Sequence, residues 1–307
     1  MSDVVVVDEL TPEAVRQAQA LIDEAARVDG QPAVSEQGRL QLRGGRRAGV
    51  RHLLLWQRGE LAGYGQLEDT DPVEAPTGEF VVHPDHRNQG HGLALGRALL
   101  EASGRRLRVW AHGGHPAARH LARLLGLTLF RELRQMRRPL TGLDLPEPSL
   151  PPGVRLRTFV PGRDDAAWLA ANAAAFAHHP EQGGMTQRDL DDRKAETWFD
   201  SKGFFLAVRD GGRDGEGEGE ELLGFHWTKV HSAEQLGEVY VVGVTPGAQG
   251  GGLGKALTLV GLRYLARDRG LPTAMLYVDA DNTAAVKVYE GLGFETHEVD
   301  LMYRTEG

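Results

Sequence analysis

Apolar residues fall along this chain in runs bounded by turn signals, and the same succession of runs occurs twice. In the first half, Val4 to Val7 reads as a strand and Pro12 to Val28 as a helix. His52 to Leu67, HLLLWQRGELAGYGQL, reads as a hairpin turning at Arg58-Gly59. Glu79 to Ala102 then runs as an apolar strand, a turn at Pro84, a glycine-containing loop and an apolar helix. A strand at Leu107 to Trp110 and a helix at His115 to Leu125 follow, closed by Gly126-Leu127. The second half repeats the order with FFLAV and LLGFHWTKV as the hairpin and Glu238 to Ala266 as strand, loop and helix. Ala274 to Val278 and Asn282 to Leu292 then close on Gly293-Phe294. The two glycines suit helix C-terminal caps.

Four matched pairs share one offset. Pro84 and Pro246, Arg87 and Gln249, Gly90 and Gly252, and Gly92 and Gly254 each stand 162 residues apart, which argues for duplication. Between the halves, Thr141 to Gly153 carries Pro146, Pro148, Pro151 and Pro152, which deny the backbone both helix and central strand. The expected organisation is two mixed-sheet α/β domains, residues 1–142 and 153–307, joined by a Pro-rich linker at 143–152. The connection Arg209 to Glu221 reads as a solvated loop whose carboxylates repel phosphate.

Length supports the same division, because 307 residues exceed what one core usually fills. The net charge of −8 argues against nucleic acid and anionic membranes as partners and leaves room for a small or cationic substrate. Without cysteine there is no disulfide, thiolate metal site or cysteine nucleophile, and a reducing cytoplasm is the expected compartment. MSDVVVVDEL is too short an apolar run for a signal peptide or a membrane span, and a monomer is expected.

The chemistry centres on Gln249, Gly250, Gly251, Gly252, Leu253 and Gly254, with Lys255 in the first helical turn. Backbone N–H groups at a helix N-terminus converge on an anion, and glycines let the chain approach it closely. A tight strand-to-helix connection accounts for either loop taken alone; the repetition argues for a shared ligand. A dinucleotide fingerprint fits less well, because the strand before the loop lies mid-domain and no βαβ unit with a distal ribose-binding acid follows. The pattern [Gln/Arg]-x-x-Gly-x-[Gly/Ala] between strand and helix resembles the acyl-CoA loop of the GNAT acetyltransferase superfamily.

That resemblance implies two tandem GNAT acyltransferase domains and acetyl-CoA as co-substrate, with one molecule for each domain at most and no metal. It implies a bulge at Val242, Gly243 and Val244 whose free N–H polarises the thioester carbonyl. Phe80, Val81 and Val82 are the first-half counterparts, followed by Arg87, Asn88, Gln89, Gly90, His91 and Gly92. The spacing Asn282, Ala285, Tyr289, Gly293, Phe294 matches the family helix that contacts CoA, with Lys287 on the same segment. Tyr289 would be the acid, or a hydrogen-bond donor to the thiolate, since a phenol near pKa 10 is weaker than a thiol near 8.5. Glu238, at the start of an apolar strand, is the expected base. Ala122 stands where the first copy would need its tyrosine and His115 where it would need Asn282, so the first domain is expected not to catalyse. Glu79 lies nearer its loop than Glu238 does.

SEQGR at Ser35 to Arg39, HPEQG at His179 to Gly183, GEVYVVGV at Gly237 to Val244 and LYVDADN at Leu276 to Asn282 are similar to a tandem branch of the superfamily. Its members acetylate the cysteinyl amine of a cysteinyl-glucosaminyl-inositol conjugate, an amino-sugar thiol. By that likeness Glu36, Glu181, Lys229, Glu238 and Tyr277 line the substrate site, in a cleft that both domains would form. Other tandem enzymes acting on aminoglycosides or protein N-termini, and a non-catalytic acyl-CoA sensor, are the alternatives. The histidine pairs His83/His86, His112/His115 and His178/His179 have metal-compatible spacing, but they lie in turns and acyl transfer to an amine needs no metal.

Overall fold

A computed structural model describes residues 4–43, 45–71, 73–142, 145–177, 180–210 and 220–306, with the side chains of Pro180 and Glu181 outside the description. Two compact units emerge. Unit 1 comprises Met1–Arg134, Asp279–Asp281 and Glu298–Gly307, and unit 2 comprises Gln135–Val278 and Asn282–His297.

Unit 1 begins with β1 (Val4–Val7) and α1 (Pro12–Asp29). Thr11 caps α1 by accepting from the Ala14 N–H at 3.2 Å, Pro12 occupies the first turn, and Gly30 ends the helix at φ 71°. Its apolar stripe, Ala18, Leu21, Ile22 and Ala25, packs with Leu54, Tyr64 and Val81. Then come α2 (Glu36–Arg43), β2 (Val50–Gln57), β3 (Glu60–Glu68) and β4 (Thr77–Val82). Arg58 and Gly59, at φ 52° and 87°, make the tight β2–β3 turn that the alternating pattern predicts. α3 (His91–Ala102), β5 (Arg108–Ala111) and α4 (Pro116–Leu124) follow, with Leu95 and Leu99 of α3 buried against Leu53, Leu55 and Leu67. β1 to β4 form an antiparallel ladder, while β4 runs parallel to β5 with pairing only at Thr77↔Arg108 and Gly78↔Val109. The other edge of β5 pairs antiparallel with Leu301–Arg304 from the end of the chain. β6 (Leu127–Pro139) begins in unit 1 and ends in unit 2.

Unit 2 continues with β7 (Val154–Thr158), α5 (Asp165–Ala175), α6 (Pro180–Gly183), α7 (Gln187–Lys194), β8 (Phe204–Asp210) and β9 (Glu220–His231). β10 (Leu236–Val244), α8 (Leu253–Arg263), β11 (Thr273–Asp279), α9 (Thr283–Gly291) and β12 (Glu295–Thr305) complete the chain. The strand order is β7-β8-β9-β10-β11, with β10 and β11 parallel and the other neighbours antiparallel. One face buries an aromatic stack in which Phe204 lies 4.5 Å from Trp227 and Trp168 meets both edge-on. On the other, His226 donates to the Leu257 carbonyl at 2.7 Å, and a side chain at Gly261 would collide with its ring.

Thr141 to Gly153 carries no helix or strand among the described residues, as the prolines imply, and Leu143 and Asp144 lie outside the description. The compact units nevertheless divide at Arg134/Gln135, ahead of that segment. Met136, Leu140 and Leu145 are buried in the main apolar cluster of unit 2, and the Leu140 N–H donates to Pro272. The last residues join unit 1 because they complete the ladder on β5.

Candidate active site

The centre of unit 2 is a splay between two parallel strands. β10 and β11 pair from Leu236↔Thr273 to Val239↔Leu276, and no pairing is recorded beyond that point among the described residues. At that point β10 bulges, with Val239 opposite Thr228 but Val241 opposite Trp227, so Tyr240 is the extra residue. The bulge expected at Val242–Val244 is therefore corrected to Tyr240: those three residues sit in regular register against His226, Phe225 and Gly224. Gly243 serves packing instead. A Cβ there would come within 2.6 Å of the Phe225 ring and 3.1 Å of Ala175. Tyr240 is held by packing on Trp198 and Trp227 and by accepting from the Arg193 guanidinium at 2.7 Å.

Beyond the splay, the chain turns through Pro246–Ala248 into Gln249, which donates to the Val244 carbonyl at 3.2 Å. Gly250 and Gly252 adopt φ 84° and 79°, the left-handed region that favours glycine. A Cβ on either would meet nothing within 4 Å, so the space over the loop is open. Gly252 begins α8 without a side-chain cap, leaving the first-turn N–H groups of Leu253, Gly254 and Lys255 for a ligand. Lys255 is exposed and makes no ion pair among the described residues. Gly251 completes the turn, and uncapped N–H groups at a helix N-terminus favour an anion.

The reactive candidates flank the splay. Glu238 is buried, paired in register with Lys229 and hydrogen-bonded to His231 Nε2 at 2.6 Å. Lys229 holds its ammonium 4.7 Å from the Trp198 ring centre and 5.2 Å from that of Tyr240. Tyr289 is buried against Phe294, and burial pushes its phenol up to about 12. Its hydroxyl makes no hydrogen bond among the described residues. Asn282 caps α9 by accepting from the Ala285 N–H at 3.2 Å, as its position implies, and Lys287 is exposed on the same helix. Gly293, at φ 84°, ends it. Tyr277 is partly exposed and its hydroxyl accepts from Gln135 at 3.0 Å. The side chain of Glu181 and both His178 and His179 lie outside the described residues.

Unit 1 repeats the backbone. β4 and β5 part after Gly78, Asn88 and Gly90 take φ 61° and 84°, and Gly90 opens α3 without a side-chain cap. Phe80, Val81 and Val82 stay in regular register with β3, so β4 has no bulge. Arg87 is committed to Asp29 by two hydrogen bonds of 2.7 and 2.8 Å, while Gln89 and His91 engage Gln57. His115 caps α4 through Nδ1, and Ala122 is buried where Tyr289 stands in unit 2. Gly92 packs on Leu121. Glu36 is the first residue of α2 and is half-buried. Glu79 accepts from the Ser35 N–H and hydroxyl at 2.9 and 3.0 Å and lies 3.3 Å from His112 Nε2. Among the described residues no group of three or more His, Cys, Asp or Glu side chains is arranged to hold a metal ion, and no helix is long and apolar enough to cross a membrane.

Strand splay, glycine-bearing turn and uncapped helix, present in both units, are the parts of an acyl-transfer fold built in tandem. The acetyltransferase (GNAT) family model matches residues 17–127 and 172–294, and the chain belongs to that family of acetyl-CoA-dependent enzymes. Among its relatives, a protein of Streptomyces avermitilis named mycothiol acetyltransferase is 74% identical over 297 residues, covering 97% of this chain and 93% of its own. One of the same name from Thermobispora bispora is 54% identical over 93% of this chain and 94% of its own. A solved tandem GNAT protein from the clavulanic acid pathway shares the fold at TM-score 0.70 and 17% identity, covering 99% of this chain and 98% of its own.

His231 was not legible as a partner of Glu238 in the sequence. The signal available was the β9–β10 turn, which brings residues seven apart across the hairpin. Ser35 and His112, the partners of Glu79, are 44 and 33 residues from it, and no local pattern joins them.

Proposed function

We propose that this acetyltransferase moves the acetyl group of acetyl-CoA onto the cysteinyl amine of cysteinyl-glucosaminyl-inositol, the closing step of mycothiol assembly. The observation that carries the acceptor is the 74% identity, over 97% of the chain, to a protein named for mycothiol. Unit 2 performs the chemistry.

Acetyl-CoA supplies an activated acyl group, and its pyrophosphate fits the N–H cradle of Gly250–Lys255. Backbone N–H groups of β10 past the bulge, around Val242 to Val244, meet the charge that grows on the acyl oxygen. Glu238 takes the proton lost by the amine as the C–N bond forms, directly or through a water. As the C–S bond breaks, Tyr289 donates a hydrogen bond to the departing sulfur. A phenol at about 12 stays protonated across the working range. It holds the thiolate by hydrogen bonding, because proton transfer to sulfur near pKa 8.5 is uphill. Glu36, Glu181, Lys229 and Tyr277 recognise the acceptor through its hydroxyls and ammonium group. Unit 1 binds acyl-CoA or serves as scaffold without transferring, since Ala122 replaces the tyrosine.

The test is to mix purified protein with acetyl-CoA and cysteinyl-glucosaminyl-inositol and follow free CoA. Release with this amine is expected. Release only with aminoglycosides or peptides would transfer the assignment to another acceptor, and tight CoA binding without turnover on any amine would make the protein a sensor.

A further inference from the structure

The first turn of α2 is built in an unusual way. Ser35 is its N-cap: the Ser35 carbonyl accepts from the Arg39 N–H at 3.1 Å, and its hydroxyl accepts from the Gly38 N–H at 3.0 Å. In a capping box the third helical residue is Glu or Gln, whose side chain reaches back to the N–H of the cap. Here that residue is Gly38, and the Ser35 N–H is satisfied instead by Glu79 of β4 at 2.9 Å. A Cβ on Gly38 would collide with the Glu79 carboxylate. Glycine at 38 and glutamate at 79 are two halves of one device, a capping box completed from a neighbouring strand.

Glu79 is itself fixed. Its second oxygen accepts from the Ser35 hydroxyl at 3.0 Å, and His112 Nε2 stands 3.3 Å from the first. His112 Nδ1 lies 3.3 Å from Asp300, which also accepts from the Gly113 N–H at 2.7 Å. Gln31, on the segment leading into Ser35, donates to the His112 carbonyl at 3.2 Å. Burial alone would depress His112, but its hydrogen bonds to Asp300 and Glu79, and then their charges, raise it to about 10, so it is an imidazolium at neutral pH. A buried cluster of three charged groups is a costly way to hold a helix that its own Leu42 already anchors in the core, unless the direction of its first turn matters.

We infer that Glu79, locked by His112 and Asp300, is a positioning residue that sets the first turn of α2 and thereby aims Glu36 at the acceptor. The inference rests on the reading of Glu36 as an acceptor-binding carboxylate. It assigns the glutamate before the unit 1 loop a part in recognition, at a place where unit 2 uses the strand for chemistry. Glu36 immediately follows Ser35, so any rotation of the cap is passed directly to it.

The test compares Ser35→Ala, Glu79→Gln and Glu36→Gln in steady-state kinetics with cysteinyl-glucosaminyl-inositol. Loss of a buried charge-assisted bond that orients a binding group should raise the acceptor KM about tenfold, with kcat and the acetyl-CoA KM within about twofold. Ser35→Thr, which keeps the hydroxyl, should restore it. The double variant Glu36→Gln/Glu79→Gln should be no worse than Glu36→Gln alone, because Glu79 acts through Glu36. If Glu36→Gln raises the KM while Glu79→Gln and Ser35→Ala only lower the melting temperature, or if the two effects add in full, the positioning role is wrong and the acceptor reading stands. If Glu36→Gln itself leaves the acceptor KM unchanged, both fall. Ser35→Ala carries the test should Glu79→Gln not fold.

Discussion

Arg87 and Gln249 share backbone angles of φ −70° and ψ 162°, and Gly90 and Gly252 agree within 5° in φ, yet the surroundings of the two loops differ. In unit 2 the strand before the loop bulges at Tyr240, a lysine follows the glycines, and a tyrosine fills the facing helix. In unit 1 the strand is regular, Leu93 holds the lysine position, and Ala122 replaces the tyrosine. Arginine at the start of the unit 1 loop adds a pair with Asp29 to its bond with the Val82 carbonyl, whereas Gln249, among the described residues, reaches the matching Val244 carbonyl alone. The difference teaches that the glycine turn is a backbone device that survives duplication intact, while the side chains around it and the register of the strand before it do not.

The comparison is broken most severely at the base. Replacing Glu238 with Gln should lower kcat by about a hundredfold or more and flatten the acidic limb of the pH–rate profile. An unchanged profile would remove Glu238 from that role. Tyr289→Phe should cost about tenfold to a hundredfold in kcat with little change in acetyl-CoA KM, as expected for one lost donor to developing charge. Full retention of kcat would mean that unit 2 works without the residue that most clearly separates it from unit 1. The smallest effect is on stability and belongs to unit 1. Because His112 is raised from 6.5 to about 10, its contribution is complete below pH about 6.5 and fades as pH rises through about 10. Thermal melts of wild type and His112→Gln should therefore differ most at pH 6 and converge as pH rises toward 10. A difference that stays constant with pH would show that His112 is not held as an imidazolium.

Much of this architecture was legible because it is local. The β2–β3 turn is readable from Arg58-Gly59, the α9 cap from Asn282 and its end from Gly293, since each depends on backbone within a few residues. The duplication was legible from spacing alone. The family resemblance implies a bulge at Val242–Val244, whereas the extra residue is Tyr240, anchored by Trp198, Trp227 and Arg193 from elsewhere in unit 2. The end of α8 in a π-helical turn, Tyr264–Asp268, also had no local signature. It lies where the Tyr264 hydroxyl donates to Asp200, which accepts from Arg269 as well.

By itself, then, the sequence determined the repeated strand–loop–helix order, the glycines that open both loops, and the absence of a tyrosine at Ala122. Those follow from φ preferences, hydrogen-bonding termini and periodicity, which act over a few residues. Only the tertiary structure decided which residue bulges, where the compact units divide, that His231 is the partner of Glu238, and that Glu79 completes the cap of α2. His231 reaches Glu238 across the β9–β10 hairpin, and the others depend on groups tens of residues apart meeting in a packed interior, where a buried carboxylate must find its donors wherever the fold supplies them.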